Sequence, residues 1–124
     1  MARLLAEAAK ALQEPACLAV ISELGGPVVT VEAAAAKMEI LRFEDGRIGP
    51  AAAACRAGAY AATTVGGSVV WTCGGLGALE RRNGGLARAV VIHETMHTLG
   101  LREHPYPGAP KTEKITAAIL KACP

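Results

Sequence analysis

The spacing of apolar residues predicts an α+β fold, in which a small antiparallel or mixed β-sheet packs on one central helix, with further helices at the N- and C-terminal ends. Three observations carry that expectation. Apolar residues recur every three to four positions near both ends of the chain. A β-rich middle stretch, YAATTVGGSVVWTC, folds back on a Gly-Gly turn. A strongly apolar helical segment from Leu86 to Leu99 stops at Gly100.

Near the N-terminus, Leu4, Leu5, Ala8, Ala11 and Leu12 form a stripe opposite Glu7, Lys10 and Gln13, so Ala2 to Leu12 is expected to be an amphipathic helix. Pro15 suits the first turn of a second helical stretch running to Leu24, which Gly25, Gly26 and Pro27 end. Val28 to Lys37 is ambiguous between strand (VVTV) and helix (AAAAK). Met38 to Phe43 alternates and ends at Asp45-Gly46, which predicts a strand. Tyr60 to Thr64 and Ser68 to Cys73 are expected to pair as a hairpin, with Gly74, Gly75 and Gly77 following as loop. Thr112 to Ala122 is expected to close the fold as an amphipathic helix capped by Thr112, with Ile115, Ile119 and Leu120 on its inner side.

With 124 residues there is enough chain for one hydrophobic core, so one domain over residues 1–124 is expected. The residues are 52% apolar but only 3% aromatic. A core of Ala, Val, Leu and Ile buries less area per residue than an aromatic one, and cross-links or a bound metal would add to its stability. The net charge is +2, with Lys and Arg scattered along the chain, a pattern that argues against nucleic acid as the partner. Ala57 to Leu79 has no formal charge, yet its glycine pairs, threonines and few large aliphatic residues argue against a membrane span.

Cys17, Cys55, Cys73 and Cys123 contain no C-x-x-C pair, which removes support for a closed cysteine zinc site or a thioredoxin-like motif. Three disulfide pairings can be written. We favour Cys55 with Cys73, which bracket the hairpin, and Cys17 with Cys123, which would tie the terminal helices together; four reduced thiols are the alternative. Disulfides would mean a secreted or periplasmic protein. The opening MARLLAEAAKAL lacks an uninterrupted apolar export segment, so the expectation is either a longer precursor or a cytoplasmic protein with reduced cysteines.

The chemistry concentrates in Val90 to Tyr106, VVIHETMHTLGLREHPY. On a helix, His93 and His97 are one turn apart on the same face, where both imidazoles can reach one divalent ion. Glu94 projects about 100° from His93. Its carboxylate is therefore free to act as general base toward a water that the ion has made more acidic. Gly100 permits a sharp turn that can return a later side chain as third ligand.

HETMHTLGLREH resembles the H-E-x-x-H-x-x-G-x-x-(H/D) signature of the metzincin clan of zincin peptidases. It is closer to small bacterial members with an acidic third ligand, such as the snapalysins, and to bacterial zincin-like proteins reading H-E-x-x-H-T-L-G-L-x-E. The motif covers about a tenth of the chain, and a weaker likeness through LRFEDG, VGGSVVWTC and KITAAILKACP brings this to about a third. The resemblance implies a zincin-like fold, a bound Zn2+ and hydrolysis of peptide bonds in a peptide or protein substrate. It also implies that one hairpin arm forms an edge along which the substrate lies.

Two features depart from the clan pattern. The third-histidine position holds Glu103, with His104 one residue late, and no methionine follows Met96 to make a Met-turn. Register from Gly100 favours Glu103 as the third ligand, and His104 is the alternative, the other residue then orienting the ligand. Tyr106 is a candidate for oxyanion stabilisation, although a surface tyrosine in a Pro-rich loop is the simpler reading. The competing function is a non-catalytic zinc-binding structural or interaction module with a vestigial Glu94, which four protein ligands would favour. A thiol-redox role has no cysteine beside a histidine to support it.

Overall fold

The N-terminal stripe does what its spacing predicts. In a computed structural model describing residues 1–124, Ala2–Ala11 forms helix α1, which buries Leu4, Ala8 and Ala11. Two short turns follow, Pro15–Leu18 (α2) and Val20–Glu23 (α3), burying Cys17, Leu18, Val20 and Ile21.

Two expectations are corrected in the next stretches. Met38 to Phe43 is not one strand. Helix α4 spans Val31–Ile40, and the strand, β1, is Arg42–Asp45. The Thr30 side chain caps α4 by accepting the amide of Ala33 at 3.1 Å, and the run of alanines behind it has high helix propensity. The helix therefore continues through Met38 before a short alternating pattern can set a strand. The second correction concerns Gly74, Gly75 and Gly77, which open helix α6 (Gly74–Arg82) and are not loop. Leu76 and Leu79, three apart and both buried, fasten that helix to the core and outweigh its poor glycine propensity. The Ala-rich connection also contains a short helix, Ala52–Arg56 (α5).

Strands Ala61–Thr63 (β2) and Val69–Thr72 (β3) form the hairpin, and the sheet is mixed, in the order β1-β3-β2. β1 runs parallel to β3, while β2 pairs antiparallel with it, placing Ala62 opposite Trp71. β2 is therefore an edge strand.

Helix α7, Gly84–Thr98, lies at the centre. Asn83 caps it by accepting the amide of Leu86. α1, α6, the C-terminal helix α8 (Thr112–Ala122) and β2 all pack on it. Ala89, Ile92 and Met96 turn into the core with Leu12, Ile21, Leu76, Ile115 and Ile119. Each large aliphatic side chain buried in this way contributes about 1.5–3 kcal/mol. Cys17 pairs with Cys123 and Cys55 with Cys73, the two expected disulfides, consistent with an oxidising compartment. No helix is long and apolar enough to cross a membrane.

Candidate metal centre

The side of α7 turned away from the core borders a cleft of about 550 Å3. Val90, His93, Glu94 and His97 form its floor, Ala61, Ala62 and Thr63 of the edge strand form one wall, and Thr112 and Thr116 of α8 contribute to its lining. His93 and His97 are 4% and 7% exposed, with ring centroids 4.9 Å apart. His93, Glu94 and His97 each offer a ligand atom, and these atoms lie within 4.8 Å of one another, so the group could hold a metal ion.

The turn after α7 depends on Gly100. Its φ is +109°, and an added Cβ would lie 2.8 Å from Cγ of Pro27, so glycine is required twice over. The chain then reverses. The Leu101 carbonyl accepts a hydrogen bond from His97 Nδ1 at 2.7 Å, and the Glu103 carboxylate reaches both rings. Glu103 Oε1 lies 2.7 Å from His93 Nε2 and 3.2 Å from His97 Nε2.

A carbonyl oxygen only accepts, so Nδ1 of His97 carries a proton, and removal of the proton from Nε2 leaves a lone pair there for an ion.

Burial pushes the His93 imidazole below its ordinary value, outweighing the Glu103 carboxylate beside it. Burial also pushes the Glu94 carboxyl up to about 8, helped by the negative charge of Glu103. For Glu103 burial works upward, yet hydrogen bonds from Thr112 and His93 and the nearby histidines hold its carboxyl below the ordinary range.

His104 lines the same cleft but is exposed, and its backbone N–H donates to the Pro110 carbonyl at 2.9 Å. Tyr106 is half exposed and lies outside the cleft lining, its ring beneath the Arg102 guanidinium at 4.3 Å.

Sequence reasoning missed two residues. Thr112 was expected to cap α8, but Lys111 occupies the cap, and Thr112 sits in the first turn, lining the same cleft as Glu103. Thr116 Oγ1 lies 3.2 Å from His93 Nδ1. The available signal was a pair of hydroxyl residues four apart on the terminal helix, beside the positions predicted to be buried.

Compared with protein-family models, curated proteins and solved structures, the chain matches none.

Proposed function

We propose that this chain is a zinc-dependent metallopeptidase, with His93, His97 and Glu103 as ligands and Glu94 as general base. The observation that carries the reading is the convergence of one Glu103 carboxylate oxygen on Nε2 of both histidines. Two imidazoles and a carboxylate are a donor set suited to zinc, and three protein ligands leave a position open for chemistry. The likeness of HETMHTLGLREH to the metzincin signature supports the same reading.

Bound there, zinc would supply a Lewis acid that polarises a peptide carbonyl and makes a water more acidic. Glu94, next to His93 on the helix and lining the cleft, would act as the carboxylate, a form that the positive charge of a bound ion favours over the neutral acid that burial favours without one; it takes the proton from the attacking water and returns it to the departing amine. The edge strand holds the substrate. Cys73 donates to the Tyr60 carbonyl, and Ala62 faces Trp71 in the next hydrogen-bonded pair, so the amides and carbonyls of Ala61 and Thr63 are directed away from β3. An extended peptide can add to those groups as a further strand above α7.

The test combines zinc stoichiometry with hydrolysis of a quenched peptide library, using wild type, His97→Ala and Glu94→Gln. The reading expects one zinc per chain in wild type, its loss in His97→Ala, and metal-loaded but inactive Glu94→Gln. Stoichiometric zinc with hydrolysis unaffected by Glu94→Gln, or with none at all across the library, would favour the non-catalytic module. Absence of zinc from wild type would overturn both.

A further inference from the structure

The two histidines are held from behind in different ways. His97 Nδ1 faces a backbone carbonyl, that of Leu101, which can only accept. His93 Nδ1 faces the hydroxyl of Thr116, which can donate or accept. His93 is buried, so an unpartnered ring nitrogen there would be costly. The hydroxyl gives His93 a partner in either tautomer. With Nε2–H donated to Glu103, Nδ1 accepts from Thr116; with Nε2 given to an ion, Nδ1–H donates to Thr116.

The element carrying this hydroxyl is firmly fixed. Ile115, next to Thr116, and Ile119, one turn further on, are buried in the core, and Cys123 just beyond the helix is bonded to Cys17. Rotation of α8 is thereby set, and with it the position of the hydroxyl. One turn before Thr116, Thr112 lines the same cleft as Glu103.

We propose that Thr116 is a positioning residue of the metal centre, whose hydroxyl holds the His93 ring through Nδ1 and presents Nε2 to the ion. This rests on the reading of His93, His97 and Glu103 as ligands. Through Thr116, the C-terminal helix tunes a site whose ligands all lie on α7 and the turn after it.

The test measures zinc affinity by competition with a chromophoric chelator for wild type, Thr116→Val and Thr116→Ser, together with the visible absorption of the cobalt(II)-loaded forms. Valine keeps the shape and removes the hydroxyl; serine keeps the hydroxyl. We expect Thr116→Val to bind zinc about 10- to 100-fold more weakly with an altered cobalt spectrum, and Thr116→Ser to restore both. If wild type binds zinc and Thr116→Val binds it equally well, the ligand reading stands and the positioning role is overturned. If wild type binds no zinc, both fall. Should Thr116→Val not fold, nitrogen-detected NMR of zinc-loaded wild type decides: a slowly exchanging Nδ1 proton on His93 is expected, and an unprotonated or freely exchanging Nδ1 rejects the proposal.

Discussion

The amide of Gly66, in the turn of the β2–β3 hairpin, donates to the carbonyl oxygen of His97 at 2.9 Å. Lys37 adds a second tie, its ammonium donating to the carbonyls of Gly66 and Gly67 at 3.4 and 3.2 Å. The height of the edge strand above the histidine helix is therefore set by the backbone of a proposed ligand. Gly66 has φ +77° with open space around its Cβ position, so Gly66→Ala tests backbone conformation alone. A loss of about 1–2 kcal/mol is expected. Urea denaturation measures it, and an unchanged midpoint would refute the strain.

Gly100 presents a harder constraint, because positive φ is combined with Pro27 at its back. Gly100→Ala should destabilise by more than the roughly 1–2 kcal/mol that φ alone costs. It should also weaken zinc binding, since the Leu101 carbonyl and Glu103 would both move. Gly108→Ala is the control: it has φ +78° with nothing within 4 Å of the added carbon. Equal losses from the two substitutions would show that the Pro27 contact is unimportant.

Glu103→Ala and His104→Ala separate the two proposed third ligands. Removing the carboxylate that touches both imidazoles should lower zinc affinity by more than the roughly 100-fold upper range seen for groups behind a ligand. His104→Ala should leave it close to wild type. The reverse order, read by chelator competition, would make His104 the ligand.

Away from the site, the Arg47 side chain and amide hydrogen-bond to Asp45 and hold its carboxyl at about 2, below the ordinary 3.8. A carboxyl held low in the folded protein favours folding above its ordinary value and loses that advantage as pH falls through about 2. Both side chains are exposed, so the effect on stability is small. Carbon-detected NMR titration should show the Asp45 carboxyl rising toward 3.8 in Arg47→Ala. No rise would place the cause elsewhere.

The disulfides should differ in weight. On loop-closure grounds, a bridge across 18 residues stabilises by about 3 kcal/mol and one across 106 residues by about 4.7 kcal/mol. Calorimetry of Cys55→Ser/Cys73→Ser beside Cys17→Ser/Cys123→Ser should find the second pair the more destabilised. The opposite ranking would show that native packing outweighs chain entropy.

The parts of the fold legible in the sequence are those with a long period or a strong stop signal. The α1 stripe, the α7 helix ending at Gly100, the hairpin around Gly66 and Gly67, and both cysteine pairings are of this kind. Short elements were less legible. Six residues from Met38 to Phe43 alternate well enough for a strand, but the Thr30 cap and the alanines behind it claim the first three for a helix. Glycines at Gly74, Gly75 and Gly77 suggest a loop until Leu76 and Leu79 find the core, a tertiary effect that local propensity does not contain. In the candidate centre, the spacing of His93, Glu94 and His97 was visible because a helix fixes it. The meeting of Thr116 with His93 was not, since 23 residues of turn and helix separate them and only the packing of α8 brings them together.

The bond between Cys17 and Cys123 makes most of the chain a closed ring, with the edge strand, the histidines and the Pro107–Gly108 turn all inside it. Cutting one peptide bond in an exposed turn of a ring opens it without releasing a fragment. A molecule nicked by a protease at such a turn would keep α8, and with it Thr116, tethered to the rest. On an electrophoresis gel the damage would go unseen until a reductant was added.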